Sequence, residues 1–188
     1  PLELGATWFS DMHHNLISLL NELELNKYPQ YTKGKSLFQT KSLLPPQEFY
    51  VAETDAPSYR IVNGTQKLID TLINKINPNQ IKLKTKVTTI TQNDNELIVE
   101  SNKGDVFMAD KVILCLPPQL VGSTINFLPK LPGNTKSILP MVQTWMAGSI
   151  KFVLEYQNPF WRKKGYSGML YSHVGIVSEM YDHTNFEE

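Results

Sequence analysis

The chain is poor in the residues that hold small folds together by covalent or metal bonds. Its 188 residues include one cysteine, Cys115, and four histidines, His13, His14, His173 and His183. A single thiol forms no internal disulfide, and neither it nor the histidines fall at a ligand spacing, so no metal is expected. Charge of one sign is missing too, since 18 Lys and Arg balance 18 Asp and Glu. A nucleic-acid arm or a polybasic membrane surface needs a clustered excess of Lys and Arg, and neither partner is expected. No apolar run reaches membrane-spanning length, and Pro1-Leu2-Glu3-Leu4-Gly5 lacks the basic start and long apolar stretch of a signal peptide. The default expectation is a soluble, cytoplasmic protein. The glycines never fall at GxGxxG spacing, so the sequence holds no loop of that kind to cradle a pyrophosphate.

What is present suffices for a core, with 41% hydrophobic residues, and the length fits one large domain or two small ones. Ser10 or Asp11 is placed to cap a helix through Asn26, with Leu16, Leu19, Leu20 and Leu23 at three- and four-residue steps. From Lys27 to Ser58, Tyr28-Pro29, Gly34, Pro45-Pro46 and Pro57 break the pattern, and no regular element is expected. After Gly64-Thr65, the residues Leu68, Ile69, Leu72, Ile73 and Ile76 predict an amphipathic helix, stopped by Asn77-Pro78. Closely spaced strands follow at Ile81–Leu83, Val87–Thr91, Glu96–Ser101, Val106–Ala109 and Lys111–Leu116, a small antiparallel meander whose apolar last strand suits burial on both faces. Beyond a second Pro-containing stretch from Leu128 to Pro140, a strand is expected with Ile150, Phe152, Leu154 and Tyr156 on one side and Lys151, Val153 and Glu155 on the other. A hairpin of Met169–Ser172 and Ile176–Tyr181 completes a mixed α+β class.

Taken alone, these residues offer no complete catalytic set. The histidines read as surface or loop residues, Cys115 as a core residue inside an apolar run, and Arg162-Lys163-Lys164 as a solvated turn. Lys151 has two readings: a half-buried amine whose pKa desolvation lowers, or, favoured in isolation, a lysine on the wet face of an amphipathic strand. Gly5-Ala6-Thr7-Trp8 reads equally as a backbone that a flat ligand can approach or as a plain strand-to-turn transition.

In order along the chain, Glu3-Leu4-Gly5-Ala6-Thr7-Trp8-Phe9 before a Leu-rich helix, Tyr59-Arg60-Ile61-Val62-Asn63-Gly64-Thr65 before a second helix, Ile81 to Ile90, Lys111 to Pro118, and Gly148-Ser149-Ile150-Lys151 with Asn158-Pro159-Phe160-Trp161-Arg162 resemble the flavin-dependent amine oxidases. These are the monoamine oxidases, the polyamine oxidases and the flavin-type histone demethylases. Asn63 departs from the pattern, because a first glycine is common there. Lys151 with Pro159-Phe160-Trp161 favours this branch over flavin desaturases and protoporphyrinogen oxidases, which share the Leu-Pro-Pro strand.

The resemblance implies a mixed sheet with flanking helices, the substrate domain, plus a small antiparallel meander of the FAD domain. It divides the chain into 1–9, a flavin-contacting strand and turn; 10–57, substrate domain; 58–118, FAD-domain helix and meander; and 119–188, substrate domain again. It also implies that a Rossmann unit and a C-terminal flavin segment belong to the family but not to these residues, so the chain reads as the middle of a larger enzyme, inactive and without FAD when isolated. In the whole enzyme, an amine would be oxidised to an imine and oxygen reduced to hydrogen peroxide. Lys151 would hold a water at the flavin N5 and assist oxygen reduction. Gly5, Ala6, Thr7 and Trp8 would pack along the ring, Val87 would meet the adenine, and Leu116 and Pro117 would lie near the cofactor. A desaturase-like flavoenzyme and a non-catalytic binding module are the other readings.

Overall fold

The computed structural model describes residues 2–52 and 57–185. Helix α1 spans His14–Glu22 and buries Leu20, with Leu23 just beyond it. It starts later than the sequence suggests because Ser10 and Asp11 have other partners. The Ser10 N–H donates to His13 Nδ1 at 3.1 Å, and the Asp11 carboxylate accepts from Lys27 Nζ at 2.7 Å and from the Tyr59 hydroxyl at 3.2 Å. The stretch expected to be irregular contains β1 (Lys27–Pro29), β2 (Lys35–Gln39) and β3 (Gln47–Tyr50); its residues 53–56 lie outside the described ones. Strand β4 (Tyr59–Ile61) leads into α2 (Thr65–Ile73). The turn between them has Asn63 at φ 65° and Gly64 at φ 81°. Asparagine is among the few residues that tolerate this left-handed region, which explains how it replaces a glycine here.

The meander forms as β5 (Val87–Gln92), β6 (Leu97–Ser101) and β7 (Val106–Ala109). Helix α3 (Pro118–Thr124), β8 (Asn126–Leu128) and α4 (Gly133–Ile138) follow. The last elements are α5 (Phe160–Lys163), β9 (Tyr166–Ser172) and β10 (Glu179–Met180).

The chain divides into two compact units, Pro1–Pro78 with Lys151–Glu188, and Asn79–Ile150. In the first, a four-stranded mixed sheet runs β10-β9-β2-β3, with β2 and β9 parallel and the outer pairs antiparallel. Ser36 and Ser167 join the two central strands, hydroxyl to hydroxyl at 2.7 Å, with no solvent exposure at either. A separate ribbon pairs β1 with β4, and beside it Phe9, Leu20 and Ile61 form a core flanked by Leu16, Ile17 and Leu68. Each such side chain, once buried, contributes roughly 1.5–3 kcal/mol, enough to fix the ribbon against α1 and α2.

In the second unit the order is β7-β6-β5-β8, antiparallel except that β8 lies parallel to β5, around Ile90, Val99 and Ile125. Two expected strands do not form a ladder among the described residues. Ile81–Leu83 is a turn region, and of the run to Leu116 only Val112 packs on the core. Cys115 is exposed rather than buried. An apolar run is buried only where a neighbouring strand covers it, and here β8 takes the place beside β5.

Candidate active site

Lys151 opens an extended, unpaired segment in the first unit. The alternation expected there is present but inverted. Lys151 and Val153 turn inward, whereas Phe152, Leu154 and Tyr156 are more than half exposed, at 55%, 56% and 52%. The reading of Lys151 as a residue on a wet strand face is therefore corrected.

The inward turn brings the Lys151 amine to the N-terminal strand. Nζ donates to the Gly5 carbonyl at 3.0 Å and to Thr7 Oγ1 at 2.5 Å, and lies 4.9 Å from the centre of the Trp8 ring. This segment bends at Leu4 and Gly5 and then alternates: Glu3, Thr7 and Phe9 are buried, and Trp8 faces out. Desolvation lowers the Lys151 pKa and the nearby Arg60 adds to this, while Glu3 opposes it.

A buried ionic group lies beside this strand. Glu3 Oε2 accepts from Arg60 Nη2 at 3.0 Å, and Oε1 accepts from the Thr65 N–H at 2.8 Å, at the first turn of α2. The Glu3 N–H donates to His183 Nε2 at 3.2 Å, which requires that nitrogen to be unprotonated. Burial and the Arg60 charge push the His183 pKa down to about 4. His183 is thus a structural acceptor rather than a surface residue.

A third group starts at α5. Burial alone would raise the Asp182 carboxyl, but its hydrogen bonds outweigh that and hold its pKa below the usual range. Arg162 Nε and Nη2 donate to it at 2.7 and 3.1 Å, Trp161 Nε1 at 2.8 Å and the Thr184 N–H at 2.8 Å. The basic run at Arg162 is therefore not simply solvated. Gly168, at φ 78°, lets β9 pass close to this group, since a side chain there would begin 2.9 Å from Trp161 Nε1 and 3.0 Å from Asp182 Cβ. The Asp182 carbonyl accepts from Gln30 Nε2 at 2.7 Å, and Gln30 Oε1 accepts from Trp8 Nε1 at 2.8 Å. The Trp8 ring lies 4.9 Å from Tyr181, which in turn lies 6.0 Å from Tyr171.

The arrangement fits a flat cofactor ring. Beyond its chain neighbours, no protein atom lies within 4 Å of where a Gly5 side chain would begin, and Gly5, Ala6 and Trp8 are exposed. An open, mainly apolar groove of about 380 Å³ runs past Ala6, Thr7 and Trp8 to Ile61 and Leu68. The other sequence candidates lie in the second unit. Val87 begins β5 and packs on its core, Leu116 is 47% exposed, and Pro117 precedes α3, where its carbonyl accepts from the Val121 N–H at 3.1 Å. Sequence reasoning missed Glu3, Arg60, Gln30 and Asp182 as site residues. Among the described residues, no helix is long and apolar enough to cross a membrane.

The fold and this cluster define an α+β protein with a lysine amine held against a glycine-containing strand. The family model for flavin-containing amine oxidoreductases matches residues 37–187, and the chain belongs to that family. It is 27% identical to a probable flavin-containing monoamine oxidase A of Dictyostelium discoideum over 129 residues, which is 69% of this chain and 28% of that protein. Against the flavin-containing amine oxidase B of Canis lupus familiaris it is 32% identical over 111 residues, 59% of this chain and 21% of the other. The chain therefore matches about a quarter of the length of these relatives. A putrescine oxidase bound to putrescine superimposes on all of this chain and 62% of its own, with a TM-score of 0.81 and 19% identity. For the cyclohexylamine oxidase of Brevibacterium oxydans, the TM-score is 0.73 at 12% identity, over 96% of this chain and 63% of that one. These two establish the likeness of fold.

Proposed function

We propose that this chain is part of an FAD-dependent amine oxidase that converts an amine to an imine and oxygen to hydrogen peroxide. The observation that carries the reading is the convergence of Lys151 with Gly5 and Thr7 from 146 and 144 residues away. Bound FAD would supply the redox chemistry, taking a hydride equivalent from the carbon beside the amine and passing the electrons to oxygen. Gly5, Ala6, Thr7 and Trp8 would hold the flat ring, Val87 would meet the adenine, and Leu116 and Pro117 would lie beside the cofactor. In this division, residues 1–9 and 58–118 serve the cofactor, and 10–57 and 119–188 serve the substrate.

The chain's own contribution centres on the amine. A protonated lysine has three N–H donors; Gly5 and Thr7 take two, and the third is left to hold a water against the ring. Desolvation makes that ammonium a readier proton donor than an exposed lysine, which suits the reduction of oxygen. An apolar substrate pocket would penalise burial of the ammonium form, so the amine would react in its neutral form. As the sequence holds no GxGxxG loop, the isolated 188 residues are proposed neither to retain FAD nor to turn over.

The test is an absorbance spectrum of the full-length gene product purified without added cofactor, followed by anaerobic addition of monoamines, putrescine and longer polyamines. Bound flavin that bleaches with one of them, and yields peroxide when air is admitted, supports the reading and names the substrate class. Flavin that stays oxidised with every amine transfers the reading to the desaturase-like branch, and a protein without flavin overturns it.

A further inference from the structure

We infer that Gln30 is a positioning residue for the Trp8–Lys151 pair, fixing the indole that walls the amine by tying it to the carbonyl of Asp182. The inference rests on the proposed role of Lys151 for its link to oxygen chemistry, and on geometry alone for the tie itself.

Gln30 is 9% exposed, and each end of its amide has a chemically defined partner. An indole N–H only donates, so the atom 2.8 Å from Trp8 Nε1 must be the amide oxygen. Backbone carbonyls only accept, so the atom 2.7 Å from the Asp182 oxygen and 3.3 Å from the Tyr31 oxygen must be the amide nitrogen. No side chain other than an amide places an acceptor and a two-hydrogen donor this way at this reach. Glutamate would accept from Trp8 yet oppose two carbonyl oxygens, and leucine would leave Trp8 Nε1 without its acceptor.

The far end of the tie is rigid. Asp182 is 2% exposed and held by four donors from Arg162, Trp161 and Thr184, while Gly168 leaves no spare room beside it. The near end is not: Trp8 is 38% exposed and rests on Tyr181, so the Gln30 hydrogen bond sets where its face points. That face lies 4.9 Å from Lys151 Nζ and is part of what screens the amine from water. The Pro-Phe-Trp turn thereby acts on the lysine through Arg162, Asp182, Gln30 and Trp8, without touching it.

The experiment compares Gln30→Leu with the parent in the full-length protein, reading Trp8 by fluorine NMR of 5-fluorotryptophan and Lys151 by the pH dependence of acetic anhydride labelling, located by peptide mass spectrometry. In the variant, the Trp8 resonance is expected to move and broaden, and the labelling pKa of Lys151 to rise toward the ordinary 10.5. Trp8→Phe breaks the same bond from the other end; it should move Lys151 in the same direction, and Gln30→Leu added to it should do nothing more. If Gln30→Leu fails to fold, Trp8→Phe tests the Trp8 end of the tie through the Lys151 labelling, and Gln30→Glu, which still accepts from Trp8 but repels the Asp182 carbonyl, tests the far end through both readouts. A folded variant with Trp8 and Lys151 unmoved overturns the tie, as does a double variant whose effects simply add. The pH profile of flavin reoxidation is read separately. A profile that follows Lys151 supports both the tie and the oxygen role, whereas a moved Lys151 with an unmoved profile upholds the tie and overturns the oxygen role alone.

Discussion

Glu3 and Arg60 form an ion pair of 3.0 Å in which each side chain is only 3% exposed. The same carboxylate accepts the N–H of Thr65 at 2.8 Å, so one residue both pairs with a buried guanidinium and satisfies an N–H at the start of α2, which has no side-chain cap of its own. Removing one member leaves the other charged and dry. Arg60→Leu is expected to destabilise the protein by about 3–5 kcal/mol, measured by urea denaturation. Replacing Glu3 by Gln in the same variant should recover part of that loss; a second loss of equal size would refute the pairing.

His183 gives the protein an acid-side weakness. An unfolded chain protonates this imidazole near 6.5, the folded one only at about 4. Between those values the unfolded state binds the extra proton, so stability falls as pH drops from 6.5 toward 4 and is unaffected above. The loss is on the order of 3 kcal/mol. His183→Gln keeps an acceptor for the Glu3 N–H and should flatten the stability profile across this window, as followed by thermal melting at stepped pH.

Lys151→Met in the full-length enzyme should slow reoxidation of the reduced flavin by oxygen about 100-fold, with amine-driven reduction much closer to normal. Stopped-flow mixing of the reduced enzyme with oxygenated buffer measures the first step, and anaerobic mixing with amine the second. Equal reoxidation rates in parent and variant would remove Lys151 from the chemistry.

Ser36 and Ser167 test the joint of the mixed sheet. Ser36→Ala leaves a buried hydroxyl facing a methyl and should cost about 1–3 kcal/mol. The double alanine variant should cost less than the two single changes added together, because no hydroxyl is then left buried against a methyl. Strict additivity in a double-mutant cycle would mean that the 2.7 Å contact carries no coupling.

The parts of this fold legible in the sequence are those built by local repetition. Leu68, Leu72 and their neighbours announced α2, and alternation with Asn93-Asp94-Asn95 and Asn102-Lys103-Gly104 between the runs announced β5 to β7. Strands β1 to β3 were hidden because each is at most five residues long and lies among prolines and glycines, so its pattern ends before a period can show. The site divides the same way. Lys151 and Gly5 to Trp8 stand out through a family resemblance, but Gln30, Asp182, Glu3 and Arg60 are ordinary polar residues, and two of the pairings among them, Glu3 with Arg60 and Gln30 with Asp182, span 57 and 152 positions. No spacing rule reports such a pairing. Its trace is chemical: Tyr28 and Tyr31 have faces able to cover a cation, as they do at Arg60 and Arg162, and Trp161 has an N–H to give a carboxylate, as it does to Asp182.

The inverted alternation after Ile150 makes the position of the lysine a matter of parity. Side chains along an extended chain change sides at each residue, so one added or deleted residue just ahead of Lys151 would turn Phe152 or Ile150 toward Thr7 and swing the amine out to solvent. Composition would hardly change, yet the contact with Gly5 would be lost. A two-residue change would restore the facing, though not the distance. The segment leading into Lys151 is thus far more tolerant of substitution than of any odd change in length.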